Sequence, residues 1–215
     1  MAATVYLIPS LLAEDGLDAI PAYVLDAVKN CQVFFVENER TTRRYFKQLW
    51  KEMVIDDYEW YVVSDALPKA GVSDVLPKAG ASDTCTSIFK QKLKENKTIG
   101  IVSEAGCPGV ADPGQSLVAI AQKMNAEIKP LVGPSSILLA LMASGMNGQQ
   151  FRFNGYLPID SQQRLRSIKE LESESEKRNC TEIFIETPYR NNQLLEALIQ
   201  HCKPSTRLCI AANIS

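Results

Sequence analysis

The sequence predicts an α/β protein built on a parallel sheet, and two observations lead there. From Thr4 to Trp50 short apolar runs alternate with helical patterns, as strand, helix, strand, helix. Such alternation places crossover helices between parallel strands. Further on, Ile99-Gly100-Ile101-Val102 stops at Ser103-Glu104 and enters a loop with Gly106, Pro108, Gly109, Pro113 and Gly114. A helical pattern follows from Gln115 to Asn125. Strand, glycine-rich loop and helix together put backbone N–H groups and a helix N-terminus at the C-terminal edge of a sheet, where small ligands bind in open α/β folds. The glycines and prolines define an unusual backbone path and leave little side chain to obstruct a ligand. A tight connection that binds nothing has the same local pattern.

Taken in order, Thr4 to Ile8 reads as the first strand, ended by Pro9-Ser10. Pro21 suits the first turn of a helix, and Tyr23 to Lys29 has apolar residues at helical spacing. Val33 to Val36 is a second buried strand that ends in Glu37-Asn38-Glu39-Arg40. Thr41 or Thr42 would cap a helix from Arg43 to Trp50. Ser64-Asp-Ala-Leu-Pro-Lys-Ala-Gly71 recurs almost unchanged as Ser73-Asp-Val-Leu-Pro-Lys-Ala-Gly80, and Ser82-Asp83 begins a third copy. Its Pro, Gly and Ser content suggests a turn-rich loop, either a solvated insertion or a lid carrying Lys69 and Lys78. Asp83-Thr84 would cap a helix from Cys85 to Asn96.

Glu127 to Val132 reads as a strand, and Gly133-Pro134-Ser135-Ser136 opens a helix from Ile137 to Ser144 that Gly145 closes. A domain boundary falls near Leu131 to Pro134, giving domains of 1–131 and 132–215. The second domain reads as strand Phe151–Leu157, helix Ser161–Lys177 with Leu165, Ile168 and Leu171 inward, strand Thr181–Glu186, helix Asn191–Cys202 and a final strand Arg207–Ala212.

Composition narrows the function. The chain has 215 residues, 46% hydrophobic and 22% charged, with a net charge of −2. That balance gives no whole-chain support for nucleic-acid binding, so any RNA contact needs a local basic patch. No leader and no apolar run of membrane-spanning length are read, which predicts a cytoplasmic protein with no membrane partner. Six scattered cysteines without a CxxC pair suggest reduced, mostly buried thiols. With His201 the lone histidine, no metal site is expected. GxGxxG, GxxxxGK[ST], GxSxG and HExxH are all absent, which argues against the enzyme classes they mark.

Several segments do match one family. Val5-Tyr-Leu-Ile-Pro9 is followed by Glu37-Asn-Glu-Arg40 with Thr42-Arg43, and by Ser103-Glu-Ala-Gly-Cys-Pro108 with Asp112-Pro-Gly114. Gly133-Pro-Ser-Ser136, Ala143-Ser-Gly145, Phe153-x-Gly-Tyr-Leu-Pro158 and Glu186-Thr-Pro-Tyr-Arg190 complete the series. In this order they resemble the tetrapyrrole methylase superfamily, most closely its ribosomal RNA small subunit methyltransferase I group. The resemblance implies two α/β domains with S-adenosylmethionine (SAM) in a cleft between them, in a homodimer that methylates a cytidine ribose 2′-oxygen of 16S rRNA in the small ribosomal subunit. Carried over by position, Gly106, Cys107, Pro108 and Val110 would line the SAM pocket. Ser135 and Ser136 would meet the methionine end, and Glu186, Thr187, Ala211 and Ala212 the adenine side.

A hydroxyl acceptor needs a base, and Glu37, Glu39, Glu104 and Asp112 are candidates; loop or cap roles explain each equally well. Arg40, Arg43 and Arg44 could hold phosphates, and Tyr189-Arg190 could stack on and clamp a nucleotide. The chain departs from the family at Leu11-Leu-Ala-Glu-Asp15, where a Pro-Ile-Gly-Asn segment is usual, and at Ala212-Asn213, where Arg-Glu is usual. The repeat lies about where His-Glu-His-Asn is expected. Two alternatives therefore stand beside rRNA methylation: methylation of a tetrapyrrole or other small molecule, and a SAM-binding member that catalyses nothing.

Overall fold

The structure is a computed structural model that describes residues 2–63 and 81–214, with the side chains of 81–83 left aside. The repeat at 64–83 therefore lies outside the described residues, apart from the backbone of 81–83. Contacts divide the chain into two units that meet between Ser136 and Ile137.

The first unit holds strands β1 (Thr4–Ile8), β2 (Val33–Val36), β3 (Glu59–Val62), β4 (Ile99–Val102) and β5 (Glu127–Pro130). Its helices are α1 (Val24–Asn30), α2 (Glu39–Leu49), α3 (Ala81–Lys94) and α4 (Gly114–Lys123). The strands form one sheet in the order β3-β2-β4-β1-β5, and every pairing is parallel. Both faces are covered, which is why β2 and β4 are apolar at every position and fully buried. On one face Val24 and Val28 of α1 and Tyr45 and Phe46 of α2 pack on Ile8, Phe34, Val36 and Val102. On the other, Phe89 and Leu93 of α3 and Leu117 and Ala121 of α4 pack on Val5, Phe35, Ile99 and Ile101. Each such side chain, taken from water to the core, contributes roughly 1.5–3 kcal/mol.

The winding follows from these faces. The connections through α1 and α2 carry the chain towards β3, and those through α3 and α4 carry it back towards β5. The reversal falls at β4, between β2 and β1, so the ligand-binding crevice of this fold class opens at the C-terminal end of β4. That is where the glycine-rich loop begins.

The second unit holds α5 (Ser136–Ser144, mostly within it), β6 (Phe151–Tyr156), α6 (Ser161–Arg178), β7 (Thr181–Ile185) and α7 (Asn191–His201). β6 and β7 pair in parallel, with an irregularity between Phe153 and Tyr156 where Gly155 takes φ +65°. Leu157, Ile168 and Leu194 form its buried core, with Leu171, Phe184 and Leu198 against it.

Several elements differ from expectation. Asn38, not Thr41 or Thr42, caps α2: its side chain accepts from the N–H groups of Arg40 and Thr41, so the helix starts at Glu39. Thr41 and Thr42 instead turn their hydroxyls back on the Asn38 carbonyl. β3 was not expected, because Glu59-Trp60-Tyr61-Val62 is short and half-buried; parallel pairing with β2 makes it a strand. α3 starts at Ala81, so Asp83 and Thr84 lie inside it. The final strand over Arg207–Ala212 does not form, and Leu208 and Ile210 are exposed. Alternating apolar residues make a strand only where a neighbouring backbone completes the ladder, and this segment pairs with neither β6 nor β7. Among the described residues the six cysteines form no disulfide, but Cys31 alone is buried. On α6 Ile168 is buried and Leu171 packs inward, while Leu165 is half-buried and Arg164 takes the more buried position. Among the described residues no helix is long and apolar enough to cross a membrane.

Gly100 is the tightest point of the first sheet. A Cβ there would lie 2.7 Å from Phe34 Cδ1 and 2.8 Å from Ile8 Cδ1, both buried. Gly100→Ala should therefore destabilise the protein by about 1–3 kcal/mol, read from the urea midpoint, as overpacking does in a filled core. An unchanged midpoint would show that Phe34 and Ile8 yield freely.

Candidate functional site

The loop Ser103–Gly114 leaves β4 at the reversal point and is tied down at two places. At its start, the N–H of Ser10 donates to the Gly106 carbonyl at 2.8 Å and the N–H of Gly106 donates to the Ser10 carbonyl at 3.2 Å. The Ser10 hydroxyl donates to the Ser103 carbonyl at 2.7 Å, and the Ser103 hydroxyl lies 3.2 Å from the Gly106 carbonyl. The chain after β1 and the chain after β4 are thereby fastened together. Tyr45 adds a bond from its hydroxyl to the Pro9 carbonyl at 3.0 Å, and burial raises its phenol above the usual value.

At the far end Asp112 organises the loop. Its Oδ1 accepts from the N–H of Gly114 at 2.7 Å, and its two oxygens accept from the N–H of Gly109 at 2.9 and 2.8 Å. Gly109 at φ +86° and Ala111 at φ +60° take the left-handed backbone this tight path demands. Asp112 is only 8% exposed, and burial pushes its carboxyl above the ordinary carboxylate value; the amides of Gly109 and Gly114 pull it down, and Glu37 adds to the rise.

The other acidic candidates differ in their ties. Glu37 sits at the end of β2, and its Oε2 accepts from the N–H of Glu104 at 2.9 Å. Glu104 is exposed, and its Oε1 accepts from Asn38 Nδ2 at 3.3 Å. Glu37 and Asp112 border a small cavity of about 10 Å³ together with Ser103 and Gly114. Glu39 pairs with Arg43 at 2.6 Å within α2, and Arg43 lies over the Trp60 ring. Arg40 is exposed.

Of the residues expected to line the SAM pocket, the first unit brings several together. Gly106 takes φ +72°, where a Cβ would stand 3.4 Å from Leu12 and 3.5 Å from the Pro134 carbonyl. The Cys107 thiol donates towards the carbonyls of Gly133 and Pro134 at 3.7 and 3.5 Å, and burial raises its pKa, with Asp112 adding to the rise. Cys107 is therefore tied to the turn that leads into Ser135 and Ser136. Gly133 closes the cluster: a Cβ there would collide with Pro9 at 2.1 Å. Pro108 is buried and Val110 exposed.

In the second unit Glu186, Thr187, Tyr189 and Arg190 share the β7–α7 connection. Glu186 Oε1 accepts from the N–H of Thr187 at 2.7 Å and pairs with Arg190 at 2.5 Å. Ala211 and Ala212 lie in the exposed, unpaired segment after α7. Three supports escaped the sequence reading: Ser10, Tyr45 and the capping role of Asn38. Ser10 carried a signal, since a serine directly after a strand and a proline is placed for a loop contact.

A family model for tetrapyrrole (corrin/porphyrin) methylases matches residues 15–215. The chain belongs to this family. It is 31% identical over 197 residues to the ribosomal RNA small subunit methyltransferase I of Helicobacter pylori, a match covering 90% of this chain and 64% of that protein. The same-named proteins of Halalkalibacterium halodurans and Bacillus subtilis are 36% and 39% identical over 107 and 108 residues, in each case 50% of this chain and 36% of the relative. The matched stretch thus spans between about a third and two thirds of these relatives. The crystal structure of the methyltransferase CobJ superimposes with a TM-score of 0.53 at 15% identity, covering 94% of this chain and 77% of that one, which shows a shared fold.

The residues around Gly106 fit a SAM molecule. Glycine backbone at positive φ lets a ligand approach the main chain closely, and the neighbouring carbonyls and hydroxyls suit a zwitterion.

The burial of Asp112 makes a pH test. Because its native pKa is raised, the folded state holds this proton more tightly than the unfolded chain does. Its contribution to stability is then largest below the ordinary carboxylate value and falls as pH rises through the native value. The stability difference between wild type and Asp112→Asn, from urea midpoints across pH 3–8, should therefore shift against the wild type as pH rises. A difference constant with pH would show that Asp112 keeps an ordinary carboxyl.

Proposed function

We propose that this chain is a SAM-dependent methyltransferase that methylates the 2′-oxygen of a cytidine ribose in 16S rRNA of the small ribosomal subunit. One observation carries the reading: the Ser103–Gly114 loop, held by Ser10 and Asp112, leaves the sheet at its reversal point in a chain of the tetrapyrrole methylase family. The names of the relatives support the substrate. Cytoplasmic location and a homodimer are part of the same reading; the exposed apolar Leu138 and Met142 of α5 are surface that a second copy would cover.

SAM, when bound, would supply a methyl group on an activated sulfonium to an oxygen of the substrate. The protein then has three tasks: to hold the methyl donor, to present the hydroxyl, and to take its proton. Gly106, Cys107, Pro108 and Val110 bind the donor, with Ser135 and Ser136 following the Gly133–Pro134 turn that the Cys107 thiol contacts. Asp112 acts through the backbone, since its oxygens are committed to loop amides. Glu104 takes the proton: its carboxylate is exposed and held by one long bond, while the Glu37 carboxylate fixes the Glu104 backbone. Glu39, tied to Arg43, positions α2. Arg40, Arg43, Tyr189 and Arg190 are the RNA-facing residues of this reading, and Glu186, Thr187, Ala211 and Ala212 its adenine-side residues.

Incubation with methyl-labelled SAM and small ribosomal subunits should place label on one rRNA ribose. Glu104→Gln should lower the transfer rate by about 10²–10⁴-fold, the range for loss of a general base, with SAM affinity by calorimetry unchanged. Label on no RNA, with SAM still bound, would contradict the substrate; an unaffected rate in Glu104→Gln would contradict the base.

A further inference from the structure

Two arginines of the second unit hold buried N–H groups that no acceptor among the described residues meets. Arg164 is 9% exposed, and its Nε is buried without a hydrogen-bond partner among the described residues. Its side chain donates from Nη1 to the Ile159 carbonyl at 3.3 Å, and among the described residues it forms no ion pair. Arg190 uses Nη2 on Glu186, while its Nη1 is buried and unmet. A guanidinium stays charged, and its donors form a rigid fork shaped for two oxygens of a carboxylate or phosphate. Burying such a donor without an acceptor carries a desolvation penalty that a bound oxyanion removes.

The fold puts these two groups at one edge. β6 and β7 are parallel, so the β6–α6 and β7–α7 connections leave the same end of the ladder. Arg164 stands in the first turn of α6, and Arg190 is the residue that precedes α7. One helical turn further along each helix, Ile168 and Leu194 are buried in the same core with Leu157. Both arginines therefore lie on the core-facing side of their helices, one turn nearer the edge. Thr187 and Tyr189 belong to the same connection as Arg190, and Tyr189 is 93% exposed.

We propose that Arg164 and Arg190 form an oxyanion site that receives phosphate oxygens of a single-stranded RNA segment, with Tyr189 giving a ring face to an adjacent base. The proposal rests on the RNA reading above. With a net charge of −2, the chain can hold RNA only where cations are concentrated, and unmet buried guanidinium donors are such a place. The carboxylate of SAM has the same oxyanion chemistry, so the test separates the two.

The probe is a fluorescein-labelled single-stranded RNA, titrated with the full chain by anisotropy at several potassium chloride concentrations. Arg164→Gln and Arg190→Gln should each weaken binding about tenfold and lower the slope of log K against log salt by about 0.7, the contribution of one phosphate on a single strand. Arg164→Lys keeps the charge without the fork; it should retain the salt slope and lose about threefold in affinity. It also carries the test if Arg164→Gln fails to fold by circular dichroism. Affinity and salt slope equal to wild type in Arg190→Gln and Arg164→Lys would overturn the site. Loss of SAM affinity by calorimetry in these variants, with RNA binding intact, would overturn the phosphate assignment in favour of the SAM carboxylate. Wild type that binds RNA but transfers no methyl group would remove the methyltransferase reading and keep the site. Wild type that transfers, with variants that bind RNA equally well, would do the reverse.

Discussion

The first unit depends on one reciprocal contact, the pair of backbone hydrogen bonds between Ser10 and Gly106. β1 and β4 are neighbours in the sheet but lie about 90 residues apart in the chain, so their exits could diverge freely. The Ser10–Gly106 bridge, with the Ser10 hydroxyl on the Ser103 carbonyl, keeps them together at the point where the winding reverses. Gly106 can accept this contact because glycine takes its φ of +72° without strain. The loop then has a defined origin, and Asp112 defines its end.

Asp112 shows why a functional loop can contain a buried carboxylate. Burial disfavours its charge, yet the amides of Gly109 and Gly114 stabilise that charge and are themselves satisfied by it. An apolar residue there would leave both amides without an acceptor, in a loop whose Gly109 and Ala111 already hold left-handed backbone. The same principle has the opposite outcome at Arg164 and Arg190, where buried donors remain without partners among the described residues. The first is a completed network and serves shape; the second leaves donors unmet among the described residues, and the oxyanion site is proposed there.

The sheet core was legible because its strands are buried on both faces. Thr4–Ile8, Val33–Val36 and Ile99–Val102 read as apolar runs and form strands with those bounds. The Gly106, Asp112 and Gly133 segments were legible as loops through their glycines, prolines and order along the chain. Elements set by long-range pairing were not. β3 is half-buried and exists because β2 lies beside it, and Arg207–Ala212 has strand composition but pairs with neither β6 nor β7. Asn38 was passed over for two threonines, although the side chain that reaches the next free amides decides the cap. Arg164 was not singled out, since charge at helical spacing says nothing about which turn lies against a core.

The central claim is that the loop from Ser103 to Gly114 is the wall against which SAM binds. Hydrogen–deuterium exchange of the full chain, with and without saturating SAM, tests it most directly. The account predicts slower exchange in peptides covering residues 103–114 and 133–136 when SAM is present. Unchanged exchange there, with SAM binding confirmed by calorimetry, would contradict it.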